Sequence, residues 1–372
     1  MPLYAGLISG TSMDGVEAVA LQIEPGTLRV RGALHTDYPE ALAARLRATV
    51  ANPAGCDLDA LGDLDALVGE VFADAALRLM EHARIAPHEL RAIGSHGQTL
   101  LHRPRSNPSF TLQIGDANRI AERTGVDVVA DFRRRDMAAG GEGAPLVPAF
   151  HAAAFGSPGE ERAVVNIGGI GNITALYRDG RVAGFDTGPG NCLMDLWTQE
   201  HQGEAFDRDG ELAASGDVEP ELLELLLAEP YLAQKPPKST GRELFHRVWL
   251  ERALHRHTAT IADVQATLSE FTARTIADGI LNLAGLRPQR VLVCGGGAFN
   301  RELMRRLADA LPGIPVGDTG SCGIPPEQVE AAMCGWLAHR YVEGEPGNLV
   351  AVTGARGPRV LGALYRGTVT RA

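Results

Sequence analysis

The chain has 372 residues, of which 45% are hydrophobic and 22% are charged, so it is long enough for two globular domains. Its formal net charge of −11 argues against nucleic acid and anionic membranes as partners. The five cysteines are widely spaced without a CxxC or Cys/His zinc pattern, which predicts reduced, buried thiols. The N-terminus lacks a signal-peptide pattern, and no apolar run approaches the roughly 20 residues of a membrane span, so we expect a cytoplasmic protein.

The first part of the chain predicts a three-stranded antiparallel meander, followed by helices that alternate with short strands. The predicted strands are 3–9, 16–23, 28–34, 90–94, 110–114 and 126–132. The predicted helices are 40–50, 58–85 and 117–124. An arginine run and several glycines then interrupt the pattern, and we interpret this break as the first crossing between domains, near Asp136.

The second part repeats the same plan, which indicates a duplicated architecture. The predicted strands are 163–167, 173–177, 181–185, 291–294 and 359–365. The predicted helices are 146–155, 191–197, 262–284, 301–311 and 327–342. Prolines punctuate residues 207–245, which predicts an insertion. We therefore expect an N-terminal lobe of residues 1–136, joined by the tail 357–372, and a C-terminal lobe of residues 137–356.

Two turns of similar chemistry lie at equivalent places in the two lobes. Backbone N–H groups of a glycine turn can bind an anion, hydroxyl groups can donate to phosphate oxygens, and a carboxylate can hold Mg²⁺ through water. The turns are Gly10-Thr11-Ser12-Met13-Asp14-Gly15 and Gly168-Gly169-Ile170-Gly171-Asn172. Each turn alone is compatible with a plain hairpin loop, but their equivalent positions favour a clamp on a polyphosphate.

Asp186 lies within a glycine-rich stretch near the middle of the chain. The preceding residues predict a buried strand, and Thr187–Gly190 are expected to end it because they contain two glycines and a proline. Asn191 is expected to cap the next helix. Glycines beside a carboxylate let a substrate approach the main chain, so Asp186 is a candidate site residue. The alternative is an aspartate that only caps a turn.

Three further segments are candidates for ligand contacts. Gly295–Asn300 joins a buried strand to a helix, where a planar ring could lie on the backbone; a flexible linker is the alternative. Ser95–Thr99 ends a strand with groups that could bind sugar hydroxyls or hydrogen-bond structurally. Glu330, on the last long helix, is either solvated or a substrate contact. No P-loop motif is present, and Lys235 and Lys238 are the only lysines. Unless one of these two lysines reaches the phosphate, main-chain amides, hydroxyls, arginine and metal must hold it.

Several of these segments carry a resemblance to a known family. They are Gly6–Gly15, Gly94–Thr99, Gln113–Asp116, Asn166–Asn172, Gly184–Asn191 and Ser239–Glu243. Together they resemble the anhydro-N-acetylmuramic acid kinases, a branch of the sugar kinase, Hsp70 and actin superfamily, along essentially the whole chain. The string Ser-Gly-Thr-Ser-Met-Asp-Gly at residues 9–15 is the most specific marker.

The resemblance implies an α/β protein with two similar lobes of the actin-like ATPase, or ribonuclease H-like, fold around a central ATP cleft. It implies ATP- and Mg²⁺-dependent conversion of 1,6-anhydro-N-acetylmuramic acid to N-acetylmuramic acid 6-phosphate in cell-wall recycling, by a homodimer. It assigns the general base to Asp186. The expected ATP-binding residues are Gly10, Thr11, Ser12, Met13, Asp14, Gly15, Val16, Glu17, Gly168, Gly169, Gly171, Asn172, Gly295, Gly296, Gly297 and Asn300, with Asp14 holding Mg²⁺ through water. The expected substrate-binding residues are Ser95, His96, Gln98, Thr99, Gly188, Asn191 and Glu330.

Two other functions are compatible with the same fold. One is a sugar kinase that phosphorylates a free hydroxyl group without opening a ring, which product analysis would separate. The other is a nucleotide-driven binding module like an Hsp70 ATPase domain. ATP turnover that an amino sugar stimulates, and a peptide does not, would reject the second alternative.

Overall fold

The computed structural model describes residues 2–236, 238–255 and 257–368. The strands are β1 (Leu3–Ser9), β2 (Gly15–Glu24), β3 (Thr27–Asp37), β4 (Leu90–Arg103), β5 (Phe110–Ile114), β6 (Val128–Ala130), β7 (Arg162–Ile167), β8 (Ile170–Leu176), β9 (Val182–Pro189), β10 (Arg290–Cys294), β11 (Val316–Asp318) and β12 (Ala363–Tyr365). The α-helices are α1 (Glu40–Ala51), α2 (Leu58–Ala83), α3 (Ala117–Thr124), α4 (Arg134–Ala138), α5 (Val147–Phe155), α6 (Cys192–Gln202), α7 (Glu211–Ala214), α8 (Pro220–Leu227), α9 (Arg247–Leu254), α10 (Ile261–Leu281), α11 (Arg301–Ala310), α12 (Val329–Val342) and α13 (Val350–Thr353). The chain divides into two compact units, Met1–Ala154 with Gln328–Ala372 (unit 1) and Phe155–Glu327 (unit 2).

Unit 1 is built on a seven-stranded sheet with the order β12-β6-β4-β1-β2-β3, and β5 pairs with β4. The first three strands are antiparallel, whereas β4 runs parallel to β1 and β6 runs parallel to β4. Asp57 caps the start of helix α2, because its carboxylate accepts a hydrogen bond from the Ala60 N–H. Its buried stripe of Leu64, Val68 and Phe72 packs into the core of the unit.

Helix α12 approaches the main chain of β1 and β4 closely. A Cβ atom on Gly6 would overlap the carbonyl oxygen of Ala331, and one on Gly94 would overlap that of Cys334. Only glycine fits at these two positions. This packing explains why α12 belongs to unit 1.

Unit 2 contains a five-stranded sheet with the order β11-β10-β7-β8-β9. Strands β7, β8 and β9 are antiparallel, β10 is parallel to β7, and β11 is parallel to β10. Helix α10 starts with a capping box between Thr260 and Asp263 and packs against β8, β9 and α11. The order β11-β10-β7-β8-β9 in unit 2 corresponds to β6-β4-β1-β2-β3 in unit 1, and the directions of the paired strands are the same. This correspondence confirms the predicted duplication and the ribonuclease H-like fold.

Several predicted strand bounds are wrong: β3 runs on to Asp37, β6 is shorter, β8 begins at Ile170 within the predicted second turn, and the ends of β4 and β9 differ at candidate site residues. Strand β4 continues through Ser95–Thr99 to Arg103, because β5 pairs with this extension. Strand β9 continues through Asp186 to Pro189, with Gly188 opposite Gly171 and Pro189 opposite Ile170. Proline is tolerated here because β9 lies at the edge of its sheet.

Several other differences concern the later part of the chain. The chain passes from one unit to the other at Ala154/Phe155 and at Glu327/Gln328, whereas the sequence predicted boundaries near residues 136 and 357. Helices α4, α7, α8, α9 and α13 and strand β11 were not predicted, and β12 covers only the end of the predicted strand 359–365. Pro237 of the predicted insertion and residues 369–372 of the predicted tail lie outside the described residues.

All five cysteines are free, and two of them, Cys294 and Cys334, are buried as expected, whereas the others are partly exposed. Among the helices of the described ranges, none combines the length and the apolar character needed to cross a membrane.

Candidate active site

The first predicted phosphate turn lies between β1 and β2 in unit 1. Thr11 and Ser12 are exposed, and the Ser12 hydroxyl donates to Asp14 Oδ1 over 2.7 Å. Met13 has a φ of 53°, an uncommon left-handed conformation for a residue with a side chain. An exposed turn with hydroxyls, a carboxylate and a left-handed residue is suited to hold an anion through its main chain.

Three predicted contact residues near this turn have their side chains engaged within the protein. Gln98, 1% exposed, accepts from the Ser9 hydroxyl over 2.7 Å and donates to Gly10 O over 3.2 Å, so it holds the start of the turn. Val16 is fully buried, which leaves only its main chain for a ligand. Glu17 pairs with His35 over 2.6 Å.

A second set of polar residues in unit 1 lies where the middle of β4 runs beside the carboxyl end of β6. The Arg133 Nε–H donates to His96 Nε2 over 3.0 Å, and its Nη1 donates to Gly143 O over 2.8 Å. Burial lowers the pKa of His96 to about 3, and the Arg133 charge acts in the same direction, so the ring is neutral. His96 therefore holds the guanidinium of Arg133, and the Ser95 hydroxyl beside it is buried without a described partner.

Glu330 and Thr99 complete the predicted residues of unit 1. Glu330 is accessible to solvent, yet the protein around it desolvates its carboxyl group and raises its pKa, an effect that Arg133 opposes. The Thr99 hydroxyl accepts from Gln113 Nε2 over 3.2 Å. Arg133 was not among the predicted site residues, although it closely follows a buried parallel strand, and ligands of α/β sheets bind at the carboxyl ends of such strands.

The second glycine turn lies between β7 and β8 in unit 2 and is fixed by main-chain hydrogen bonds. Gly190 N–H donates to Gly169 O over 2.9 Å, and Asn191 N–H donates to Gly168 O over 2.8 Å. A Cβ atom on Gly190 would overlap Gly168 O, so glycine is required there. Asn191 precedes α6 as predicted, but the expected side-chain cap is wrong, because this side chain donates instead to Ile167 O over 3.2 Å.

The glycine-rich segment after β10 packs against the same turn. Gly295 has a φ of 80°, and a Cβ atom on Gly297 would overlap the side chain of Ile167. Gly296 lies near the Asn191 amide. Asn300 caps α11 by accepting from Leu303 N–H over 2.9 Å. The structure thus brings 168–172, 191 and 295–297 together in unit 2.

Asp186 lies beside this turn on β9, opposite Asn172 of β8. Its Oδ2 accepts hydrogen bonds from the Ser239 hydroxyl and the Thr240 N–H, each over 3.0 Å. Desolvation raises the pKa of Asp186, whereas the hydrogen bonds from Thr240 and Ser239 lower it. A carboxylate that is partly desolvated but hydrogen-bonded on one oxygen is a suitable general base.

Gly188 and Arg242 complete the arrangement in unit 2. Gly188 packs against Leu232 and Thr275. Arg242 is exposed, and its guanidinium lies against Gly169, where a Cβ atom would be 2.9 Å from Nη2. It makes no hydrogen bond to the described residues, so its charge is available to an anion. Arg242 lies within the marker segment Ser239–Glu243 but was not among the predicted site residues.

The duplicated topology, the two glycine turns and the hydrogen-bonded aspartate define a ribonuclease H-like α/β protein with sites suited to phosphate and to proton transfer. The family model of anhydro-N-acetylmuramic acid kinase matches residues 2–367. The chain belongs to this family.

Curated relatives agree with this assignment. The chain is 53% identical over 368 residues to an anhydro-N-acetylmuramic acid kinase of Xanthomonas campestris pv. campestris strain 8004, with 98% of this chain and 97% of the relative covered. It is 47% identical over 364 residues to the anhydro-N-acetylmuramic acid kinase of Vibrio parahaemolyticus serotype O3:K6, with 98% of each chain covered.

Among solved structures, the activator of the 2-hydroxyisocaproyl-CoA dehydratase from Clostridium difficile with bound ADPNP is similar, with a TM-score of 0.48 and 13% identity over 92% of this chain and 96% of that chain.

Proposed function

We propose that this protein converts 1,6-anhydro-N-acetylmuramic acid, ATP and water into N-acetylmuramic acid 6-phosphate and ADP. Its family membership supports the reaction. The observation that carries the mechanism is the carboxylate of Asp186, which is held through Oδ2 while no described residue donates to Oδ1. One oxygen is therefore available to accept a proton.

In the proposed reaction Asp186 removes a proton from water as the water attacks the anomeric carbon. The bond between this carbon and the bridging oxygen breaks, and the freed 6-oxygen attacks the γ-phosphorus of ATP, so that ADP leaves. A carboxylate suits the first step because the transition state at the anomeric carbon has oxocarbenium character. Phosphoryl transfer requires mainly positioning and neutralisation of charge.

Separate groups supply these two requirements. Thr11, Ser12 and the main chain of the first turn bind phosphate, and the main chain of 168–169 does so with Arg242 beside it. Gly295–Gly297 lies next to the second turn and binds the nucleotide. The substrate carries a lactyl carboxylate, and the Arg133 guanidinium, which His96 and Gly143 hold in place, is suited to bind it.

The residues present fit Mg²⁺. Within the described ranges no group of three or more His, Cys, Asp or Glu side chains could hold a metal by itself. Mg²⁺ usually keeps several waters and binds through one or two carboxylates plus substrate phosphates, and the exposed Asp14 carboxylate of the first turn suits this arrangement. The ion would neutralise charge on the phosphates. The family resemblance supports a homodimer, and the need for ATP supports a cytoplasmic location.

Mass spectrometry of the products formed from ATP and the anhydro sugar tests this proposal. We expect a sugar product that has gained both water and a phosphoryl group. A product that has gained only the phosphoryl group would support a kinase that acts on a free hydroxyl. ATP hydrolysis without a modified sugar would reject both kinase functions.

A further inference from the structure

The edge of the sheet in unit 2 is covered by a segment of the predicted insertion. Strand β9 is the last strand of its sheet, so one side of its main chain has no neighbouring strand. Asp186 N–H donates to Lys238 O over 3.3 Å, and the Tyr231 hydroxyl donates to Asp186 O over 2.7 Å. Both main-chain polar groups of Asp186 are therefore bound by residues 231–238 of this chain.

The same segment is anchored by its own lysine. Lys238 Nζ donates to Leu232 O over 3.0 Å and lies 4.8 Å from the centre of the Tyr231 ring. Desolvation lowers the pKa of Lys238. A cation between carbonyl oxygens and an aromatic face ties Lys238 to Tyr231 and Leu232. The two residues that follow Lys238, Ser239 and Thr240, both contact the Asp186 side chain.

We infer that Ser239 is a positioning residue that orients the Asp186 carboxylate, so that Oδ2 is the held oxygen and Oδ1 is the oxygen that accepts the proton. This inference rests on the proposed role of Asp186 as the base. Thr240 donates to Oδ2 through its main-chain N–H, which every residue except proline would supply, whereas Ser239 donates through its side chain. The Ser239 hydroxyl is therefore the donor that a substitution can remove without restricting the main chain.

The hydroxyl has two effects on the base. It fixes the direction of the carboxylate, and small displacements of a reacting group reduce the rate strongly. It also stabilises the ionised form, as the Thr240 N–H does, and so opposes the desolvation and the Glu243 charge, which raise the pKa of Asp186. Removing it should therefore both lower kcat and move the acid limb of the pH profile to higher pH.

The experiment compares Ser239→Ala, Ser239→Thr and the wild type in the kcat/KM pH profile with the anhydro sugar. We expect Ser239→Ala to lower kcat about tenfold and to move the acid limb to higher pH. The threonine variant keeps a hydroxyl and should restore both quantities in large part. Ser215→Ala is the matched control, because the Ser215 hydroxyl in the same insertion donates only to Leu212 O. It should leave the profile unchanged.

A double-mutant comparison separates this inference from the proposed function. In an Asp186→Asn background the substitution of Ser239 should change the residual turnover little, because the carboxylate that it orients is absent. An acid limb and kcat that are the same in Ser239→Ala and wild type would overturn the inference while leaving the kinase function intact. Wild-type protein without turnover of the anhydro sugar would instead overturn the proposed function. Thermal unfolding of each variant checks that Ser239→Ala remains folded.

Discussion

Replacing Asp186 by Asn tests the proposed base while preserving the surrounding contacts. Asn keeps one oxygen that can accept from the Ser239 hydroxyl and the Thr240 N–H, each 3.0 Å from Oδ2 in the wild type. Hydrogen bonds to a neutral acceptor contribute about 0.5–1.5 kcal/mol, less than the ~1.5–3 kcal/mol to a charged one. The substitution also removes a desolvated charge, and this gain opposes the loss. We therefore expect the free energy of unfolding to change by less than about 1 kcal/mol.

The effect on turnover should be far larger. The amide cannot accept a proton from water, and a positioned general base contributes about 10²–10⁴-fold, so kcat should fall by that factor with ATP affinity nearly unchanged. Coupled ADP release measures kcat, and calorimetry measures ATP affinity. Asp179→Asn, a change at an exposed aspartate in the turn before β9, is the matched control.

The pH dependence of activity is a second test of Asp186 as the general base. Because desolvation raises the pKa of Asp186, the base becomes protonated at a higher pH than an ordinary aspartate. Activity should therefore be lost as the pH falls through this raised pKa. In ¹⁸O-water, product sampled at early times should carry label on the anomeric oxygen and none in the phosphoryl group. A kcat near the wild-type value in Asp186→Asn, or label in the phosphoryl group, would refute the mechanism.

Two further predictions concern unit 1. Thr11→Ala or Ser12→Ala should weaken ATP binding by about 1.5–3 kcal/mol, the contribution of a hydrogen bond to a charged partner, and calorimetry with unchanged nucleotide affinity would remove the turn from the site. Gly94→Ala should lower the free energy of unfolding by about 1–3 kcal/mol, because its Cβ atom would overlap Cys334 O, whereas the control Gly62→Ala in α2 meets no atom within 4 Å and should stabilise by about 0.5–1 kcal/mol. Equal stability of these two glycine variants in thermal unfolding would contradict the close approach of α12.

The sequence could predict the elements that local chemistry defines. Strand β1 is a continuous apolar run that ends at a glycine turn, and α10 carries its own capping box, so both were found close to their true bounds. Strand β9 was cut short because Gly188 and Pro189 oppose a strand locally. Their pairing with β8 and the covering of the edge by Lys238 are long-range contacts that no local pattern contains.

The candidate site likewise contains residues that the local sequence identifies and residues that only long-range contacts reveal. Thr11, Ser12 and Asp186 were identified because their neighbours show an unusual combination of glycines and polar groups. The pairing of Arg133 with His96 depends on the adjacency of β4 and β6, which links residues 37 positions apart. The contact of Arg242 with Gly169 depends on the path of the segment 207–245, for which the sequence predicted only an insertion.

The structure also separates two kinds of residue that look alike in the motifs. Gln98 and Asn300 are polar residues in conspicuous segments, but their side chains are engaged by the protein, in one case at the first turn and in the other at the start of α11. We therefore propose that such residues affect a ligand only through the main chain that they hold. Thr11 and Arg242 are exposed and make no side-chain hydrogen bond to the described residues, so they can meet a ligand directly. For this reason a substitution at Gln98 should affect the shape of the first turn and the stability of the fold together, whereas one at Thr11 or Arg242 should affect only the ligand.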